Sequence, residues 1–203
     1  MVECVIKNKT LKKLNTLKTR IEDAKPDTDQ SIIIINAFFK SEGWNVLGDG
    51  CFATCWGKPK TKFVIKVFDS CEDECYYDFI TEVQKIKSDY VPKVYSIIEI
   101  GNVCLVVMEK LISHDFLSLR KYRKIMKDYF DIDIESEFGY LPSQMHRYIR
   151  ESDKHNELHN IVKIIVKIRE SGGGLLDLHE DNIMYRKHGA SYIPIIIDPL
   201  CPN

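Results

Sequence analysis

The apolar periodicity of this 203-residue chain changes along its length, and the order of the changes predicts an α+β fold. Trp44 to Lys110 reads as β-strands with one helix inserted, and the residues after Leu111 read as helices. A loop then leads into one apolar strand, Tyr192 to Ile197. A glycine-bearing turn, Gly48-Asp49-Gly50, ends the first apolar run of the strand-rich part. The expected organisation is a basic helix and linker over 1–30, a sheet-forming part over 31–110 and a mainly helical part over 111–203.

The elements follow in order. Leu11, Leu14, Leu17 and Ile21 recur at helical spacing among Lys7, Lys9, Lys12, Lys13, Lys18 and Arg20, predicting a helix that is either a solvated cover or a dock for an acidic partner. Asp23 to Gln30, with Pro26, reads as a linker, and Ile32 to Ile35 is a strand-length apolar run. Trp44–Leu47 and Lys62–Phe68 read as strands, and Cys71–Lys87 has helical period with Tyr76, Phe79, Ile80, Val83 and Ile86 on one face. Val94–Ile100 and Val103–Met108 form a hairpin about Gly101-Asn102. Segments 114–129 and 155–170 are helical, the alternating acids Asp131 to Glu137 read as a solvated loop, and Gly172-Gly173-Gly174 stops the last helix.

Composition excludes several classes. With 29 basic and 30 acidic residues the formal net charge is −1, which gives no bulk attraction for nucleic acid or an anionic membrane. No apolar run approaches the roughly 20 residues that span a bilayer, and no secretory signal pattern opens the chain, so a cytoplasmic location is expected. Seven cysteines, an odd number, read as reduced thiols, and the pairs Cys51/Cys55 and Cys71/Cys75 lack usual zinc spacing. His155 and His159 lie one helical turn apart without the zincin pattern and read as a solvated face.

A few polar residues sit where packing explains them poorly. Gly48 and Gly50 allow backbone amides to approach phosphate oxygens, although Gly-x-Gly also marks any hairpin. Lys66 shares its strand face with Val64 and Phe68, and a charge there needs phosphate or a carboxylate as partner. Glu74, Asp78 and Glu82 line one side of the following helix; Glu82 is nearest its apolar face and is the expected partner, with three solvated acids as the alternative. Asp177 can accept a hydroxyl proton, and Asn182, five residues on, can offer its carbonyl to Mg²⁺. Asp198, at the end of an apolar strand, suits a hard cation that prefers oxygen donors. Together these three make a metal-bridged phosphoryl-transfer site.

Taken in order, Gly48-x-Gly50-x-Phe52-Ala53, Phe63-Val64-Ile65-Lys66, Leu105-Val106-Val107-Met108-Glu109, Asp177-x-x-x-x-Asn182 and Asp198 resemble protein-kinase elements over residues 44–200. Leu47 to Phe52, Val64 to Val67, Pro92 to Tyr95, Asp177 to Met184 and Ile197-Asp198-Pro199 resemble the early serine/threonine protein kinases of T7-like bacteriophages. The resemblance implies a minimal, bilobal protein-kinase-like fold with a truncated C-lobe. It implies ATP held under Gly48, Gly50, Phe52 and Ala53, adenine against the backbone near Glu109 and Leu111, Lys66 on phosphates and positioned by Glu82, and Mg²⁺ on Asn182 and Asp198. It also implies host bacterial proteins as substrates, in a bacterial cytoplasm.

The sequence departs from ordinary kinases in four places. Leu175-Leu176 replaces His-Arg, His179 replaces the lysine, Asp198-Pro199-Leu200 replaces Asp-Phe-Gly, and the activation segment and peptide-holding helices are not seen after Asp198. Aminoglycoside phosphotransferases share the histidine at the 179 position, so a small-molecule acceptor is the alternative. A non-catalytic kinase-shaped module that binds a host protein is the second alternative, opposed by the intact set Lys66, Asp177, Asn182 and Asp198.

Overall fold

Alternation along Phe63–Asp69 sets the centre of a sheet: Phe63, Ile65 and Val67 turn to one face, Val64, Lys66 and Phe68 to the other. The computed structural model describes residues 8–130, 156–171, 174–178 and 180–202. They fall into two compact units, the first running to Asp73 and taking in Lys93–Lys110, the second taking Glu74–Pro92 and the residues from Leu111 on. The α+β class and the antiparallel sheet expected from the sequence are what the chain forms.

In the first unit, strands β1 (Asn45–Asp49), β2 (Ala53–Gly57), β3 (Phe63–Asp69), β4 (Val94–Ile100) and β5 (Val103–Glu109) form one sheet in the order β1-β2-β3-β5-β4. Neighbouring strands are antiparallel throughout. Gly101, at φ 59°, turns β4 into β5 as the sequence predicts. Helices α1 (Asn8–Ala24) and α2 (Thr28–Ser41) share a core with one sheet face: Leu14, Leu17, Ile21, Ile35 and Phe39 meet Trp44, Trp56, Ile65, Leu105 and Val107. Each such buried side chain contributes about 1.5–3 kcal/mol.

Helix α2 corrects the sequence reading, which took Asp23–Gln30 as linker and Ile32–Ile35 as strand-length. The Asp27 side chain accepts a hydrogen bond from Gln30 N at 2.8 Å and so caps the helix. Ser31, Ile35 and Phe39, four residues apart, form its buried stripe. Four consecutive isoleucines hid that period.

In the second unit, α3 (Glu74–Lys85) buries Tyr76, Phe79, Ile80 and Val83 of the face its periodicity predicts, together with Cys75, while Ile86 falls just past its end and is half-buried. The division at Lys110 drawn from sequence assigns this helix to the sheet part; in the structure it groups with the second unit, against α5 (Asn156–Glu170) and β9 (Leu200–Cys201). Helix α4 (Leu119–Phe130) follows a short 3₁₀ turn, His114–Phe116, capped by the Ser113 side chain. The expected helix over 114–129 is therefore broken at Leu117, which is extended and buried.

Strands β7 (Ile183–His188) and β8 (Ser191–Ile196) form a hairpin, and β6 (Leu175–Leu176) pairs with β9. The sequence reading placed a loop where β7 runs, because Arg186, Lys187 and His188 end it in charge. Arg186 Nη1 donates to Asp89 O at 2.8 Å and Nη2 to Val91 O at 2.9 Å, so one of those charges ties the hairpin to the segment after α3. The acids 131–137, His155, His179, Gly172, Gly173 and Cys4 lie outside the described residues, as does the side chain of His159.

Candidate active site

The second unit gathers three of the expected residues. Pairing of Leu176 with Leu200 in β6 and β9 sets the chain after β6 beside the chain before β9. There Asp177 N donates to Pro199 O at 2.8 Å, next to Asp198. A 3₁₀ turn, Glu180–Asn182, brings Asn182 back so that its Nδ2 donates to Asp177 O at 2.7 Å and Asp177 Oδ2 at 3.0 Å. Ile197 N closes the arrangement by donating to Asn182 O at 3.0 Å. Asp177, Asn182 and Asp198 are thus tied together by backbone pairing and one side-chain amide.

Their electrostatics shows in a neighbour. Burial pushes the Cys201 thiol up, and the charges of Asp177 and Asp198 push it further. Two carboxylates near one point favour a cation, and the amide whose Nδ2 faces Asp177 has Oδ1 as its cation-binding atom. The donor set of two carboxylate side chains and one amide carbonyl, all oxygen, fits a hard divalent ion such as Mg²⁺. Among the described residues no group of three or more His, Cys, Asp or Glu side chains is set to hold a metal.

Gly174, just before β6, is needed for this geometry. Its φ is 90°, and a Cβ there would lie 2.1 Å from Cys201 O. The sequence reading saw the glycine run only as a helix stop. The missed signal was a glycine spaced three residues before a candidate catalytic aspartate.

The first unit carries the other candidates. Lys66 pairs across strands with Cys55 on one side and Val106 on the other, so its face also holds Val64, Phe68 and Met108. Its Nζ lies 6.0 Å from the Phe68 ring centroid, which keeps it on the apolar face predicted. Burial pushes the adjacent Cys55 thiol up to about 11, against the pull of Lys66 and Lys110. Gly48 sits in β1 with Asp49, and the turn to β2 is closed by Gly50 N donating to Ala53 O at 2.9 Å. Nothing lies within 4 Å of where a Gly48 Cβ would be, so the backbone there is open to close approach. Phe52, at the turn, is exposed, and Ala53 opens β2 half-buried.

Glu109 ends β5 and is spent locally: its Oε1 accepts from Lys93 N at 2.8 Å while its own N donates to Lys93 O at 3.0 Å. Leu111 is the first residue of the second unit. Glu82, on α3, has its carboxylate 2.6 Å from Lys85 Nζ. Asp78 beside it is held above the usual carboxylate range by burial, then by the charges of Glu74 and Glu82.

No protein-family model matches the chain, and no curated protein matches it. Among solved structures it is similar to Rad53 1–466 in complex with AMP-PNP, with TM-score 0.41 and 16% identity over 85% of this chain and 42% of that one. It is also similar to the Mycobacterium tuberculosis PknI kinase domain, a double mutant, with TM-score 0.37 and 14% identity over 77% of this chain and 58% of that one. The chain therefore spans less than two thirds of either neighbour's length. Likeness at this level adds nothing to what the chain's own residues argue. Among the described residues no helix is long and apolar enough to cross a membrane.

Proposed function

We propose that this chain is an ATP- and Mg²⁺-dependent phosphotransferase of the protein-kinase type, acting on serine or threonine hydroxyls of proteins. The observation that carries the reading is the Asp177–Asn182 hydrogen bond at 3.0 Å beside Asp198, an acid, an amide and a second acid held by the β6–β9 pairing. Asp177 takes the proton of the acceptor hydroxyl, and the Asn182 amide on its Oδ2 holds that carboxylate in one orientation. Asn182 Oδ1 and Asp198 are the groups that would hold Mg²⁺. Bound there, the ion would neutralise charge on the transferring phosphoryl group.

Lys66, on the apolar face of β3, serves the nucleotide's phosphates, and the open backbone at Gly48 suits the same ligand. Glu82 is assigned as the carboxylate that positions Lys66. The backbone of Glu109 and Leu111 is assigned to adenine. The resemblance to phage early kinases makes host bacterial proteins the acceptor class and a bacterial cytoplasm the setting.

Mass spectrometry of host proteins after expressing the wild type and Asp177→Asn side by side tests the reading. The wild type adds phosphate to serine or threonine, and the variant does so about 10²–10⁴ more slowly while still gaining thermal stability from Mg-ATP. Equal phosphorylation by both proteins rejects Asp177 as the base. Incubation of the chain with host lysate and labelled ATP that labels only small molecules rejects the protein acceptor.

A further inference from the structure

Two clefts in the first unit, of about 270 and 350 Å³, share Lys9, Lys13, Phe38 and Glu42 and so run into one another along the seam of α1 and α2. Their floor is apolar: Leu14 and Leu17 from α1, Phe38 and Phe39 from α2, and Trp44 at the sheet end. Lys9, Lys12, Lys13, Arg20 and Lys58 line the clefts against one carboxylate, Glu42. On α1 the cations recur at Lys9, Lys13 and Arg20, a spacing of four and then seven that keeps them on one helix face.

Glu42 shows what this surface favours. Lys13 donates to its Oε2, and that hydrogen bond, with the charges of Lys13, Lys58 and Lys9, holds its carboxyl below the usual range despite partial burial. Lys58 Nζ also lies 5.2 Å from the Trp44 ring centroid, marking the sheet end of the groove with an aromatic face under a cation.

We infer that the α1–α2 seam is a docking groove for an acidic peptide segment carrying an aromatic or aliphatic anchor. The twelve helical residues from Lys9 to Arg20 span about 16 Å, the length of about five extended residues. Charge complementarity supplies the carboxylates' partners, and the floor around Phe38 takes the anchor. A phosphodiester backbone would use the cations and leave that floor unfilled, which favours a peptide over a nucleic acid. The inference rests on the protein-kinase reading only for its purpose: the groove would recruit the protein acceptor.

Fluorescence anisotropy of the full chain with a labelled five-residue peptide, four glutamates around one phenylalanine, tests this. The peptide binds, binding weakens as salt is raised, and the exposed double reversal Lys9→Glu with Arg20→Glu weakens it at least about ten-fold, with unchanged circular dichroism. Should that variant fail to fold, the wild type is titrated instead with the peptide in which lysines replace the glutamates, expected to bind at least about ten-fold more weakly. Replacing the peptide's phenylalanine by alanine also weakens binding. Unchanged affinity for the reversal variant or for the lysine peptide overturns the groove, and so does an alanine peptide that binds as well while oligothymidylate displaces it. Because the assay needs no turnover, a wild-type chain that transfers phosphate but does not bind the peptide condemns the groove alone. Docking without any transfer condemns the kinase reading alone.

Discussion

In β3, six of seven residues are buried and every one is paired to β5, most also to β2; Lys66 is the half-buried exception. In β6 and β9 each strand is two residues long, and the residues around them are held by a handful of hydrogen bonds in which Asp177 and Asn182 are themselves the partners. The first region is a packed scaffold that carries one candidate functional side chain. In the second, the candidate functional side chains are part of the scaffold. Stability and function should therefore separate in the sheet and travel together in the loop.

The largest effect expected is on the sheet's support. Phe39 stacks on Trp56 with centroids 5.5 Å apart and meets Trp44 edge-on at 5.4 Å. Phe39→Ala should cost about 3–5 kcal/mol, a large share of the roughly 5–15 kcal/mol that holds a domain. Both tryptophans of the chain are in this core, so denaturation followed by tryptophan fluorescence reads this unit directly. A small shift in the midpoint would mean that α2 is not integral to the sheet.

Lys66→Met keeps the stem length and removes only the charge from an apolar face. Phosphate transfer should fall about 10²–10³-fold, as for loss of one electrostatic donor, with the tryptophan-detected midpoint moved far less than by Phe39→Ala. Loss of stability comparable to Phe39→Ala would show that the two functions of β3 are not separable.

Gly174→Ala tests the loop. Forcing a side chain at φ 90° beside Cys201 O costs about 1–3 kcal/mol and pushes β6 from β9. Transfer should drop along with far-ultraviolet thermal stability, by about 2–4 °C per kcal/mol, while tryptophan fluorescence is unmoved. Activity kept at the wild-type level would mean that the β6–β9 pairing does not position Asp177. The smallest effect is at the start of α2: Asp27→Ala should cost about 1 kcal/mol, read as a lower midpoint with transfer intact.

A pH prediction sharpens the contrast. The folded Cys55 thiol is raised to about 11 from 9.0, so the unfolded chain loses its proton first. The stability this thiol contributes is full below pH 9 and fades as pH rises to about 11, and Cys55→Ala should flatten that part of the pH–midpoint curve.

Much of this protein was legible as a string. Apolar runs of strand length marked β3, β4 and β5; a helical stripe marked α1 and α3; and Lys66, Asp177, Asn182 and Asp198 stood out as candidates, because polar and charged groups beside apolar strands need a reason to be there. What the tertiary structure alone decided was whatever depends on distant partners. Of the isoleucines in α2, Ile35 is buried while Ile33 and Ile34 are exposed, a choice made by the sheet beneath them and invisible in a uniform run. Two-residue strands such as β6 and β9 have no period to read, and Gly174 is required by a carbonyl 27 positions away in sequence. Local patterns encode which face is apolar; only packing selects the partner that face meets.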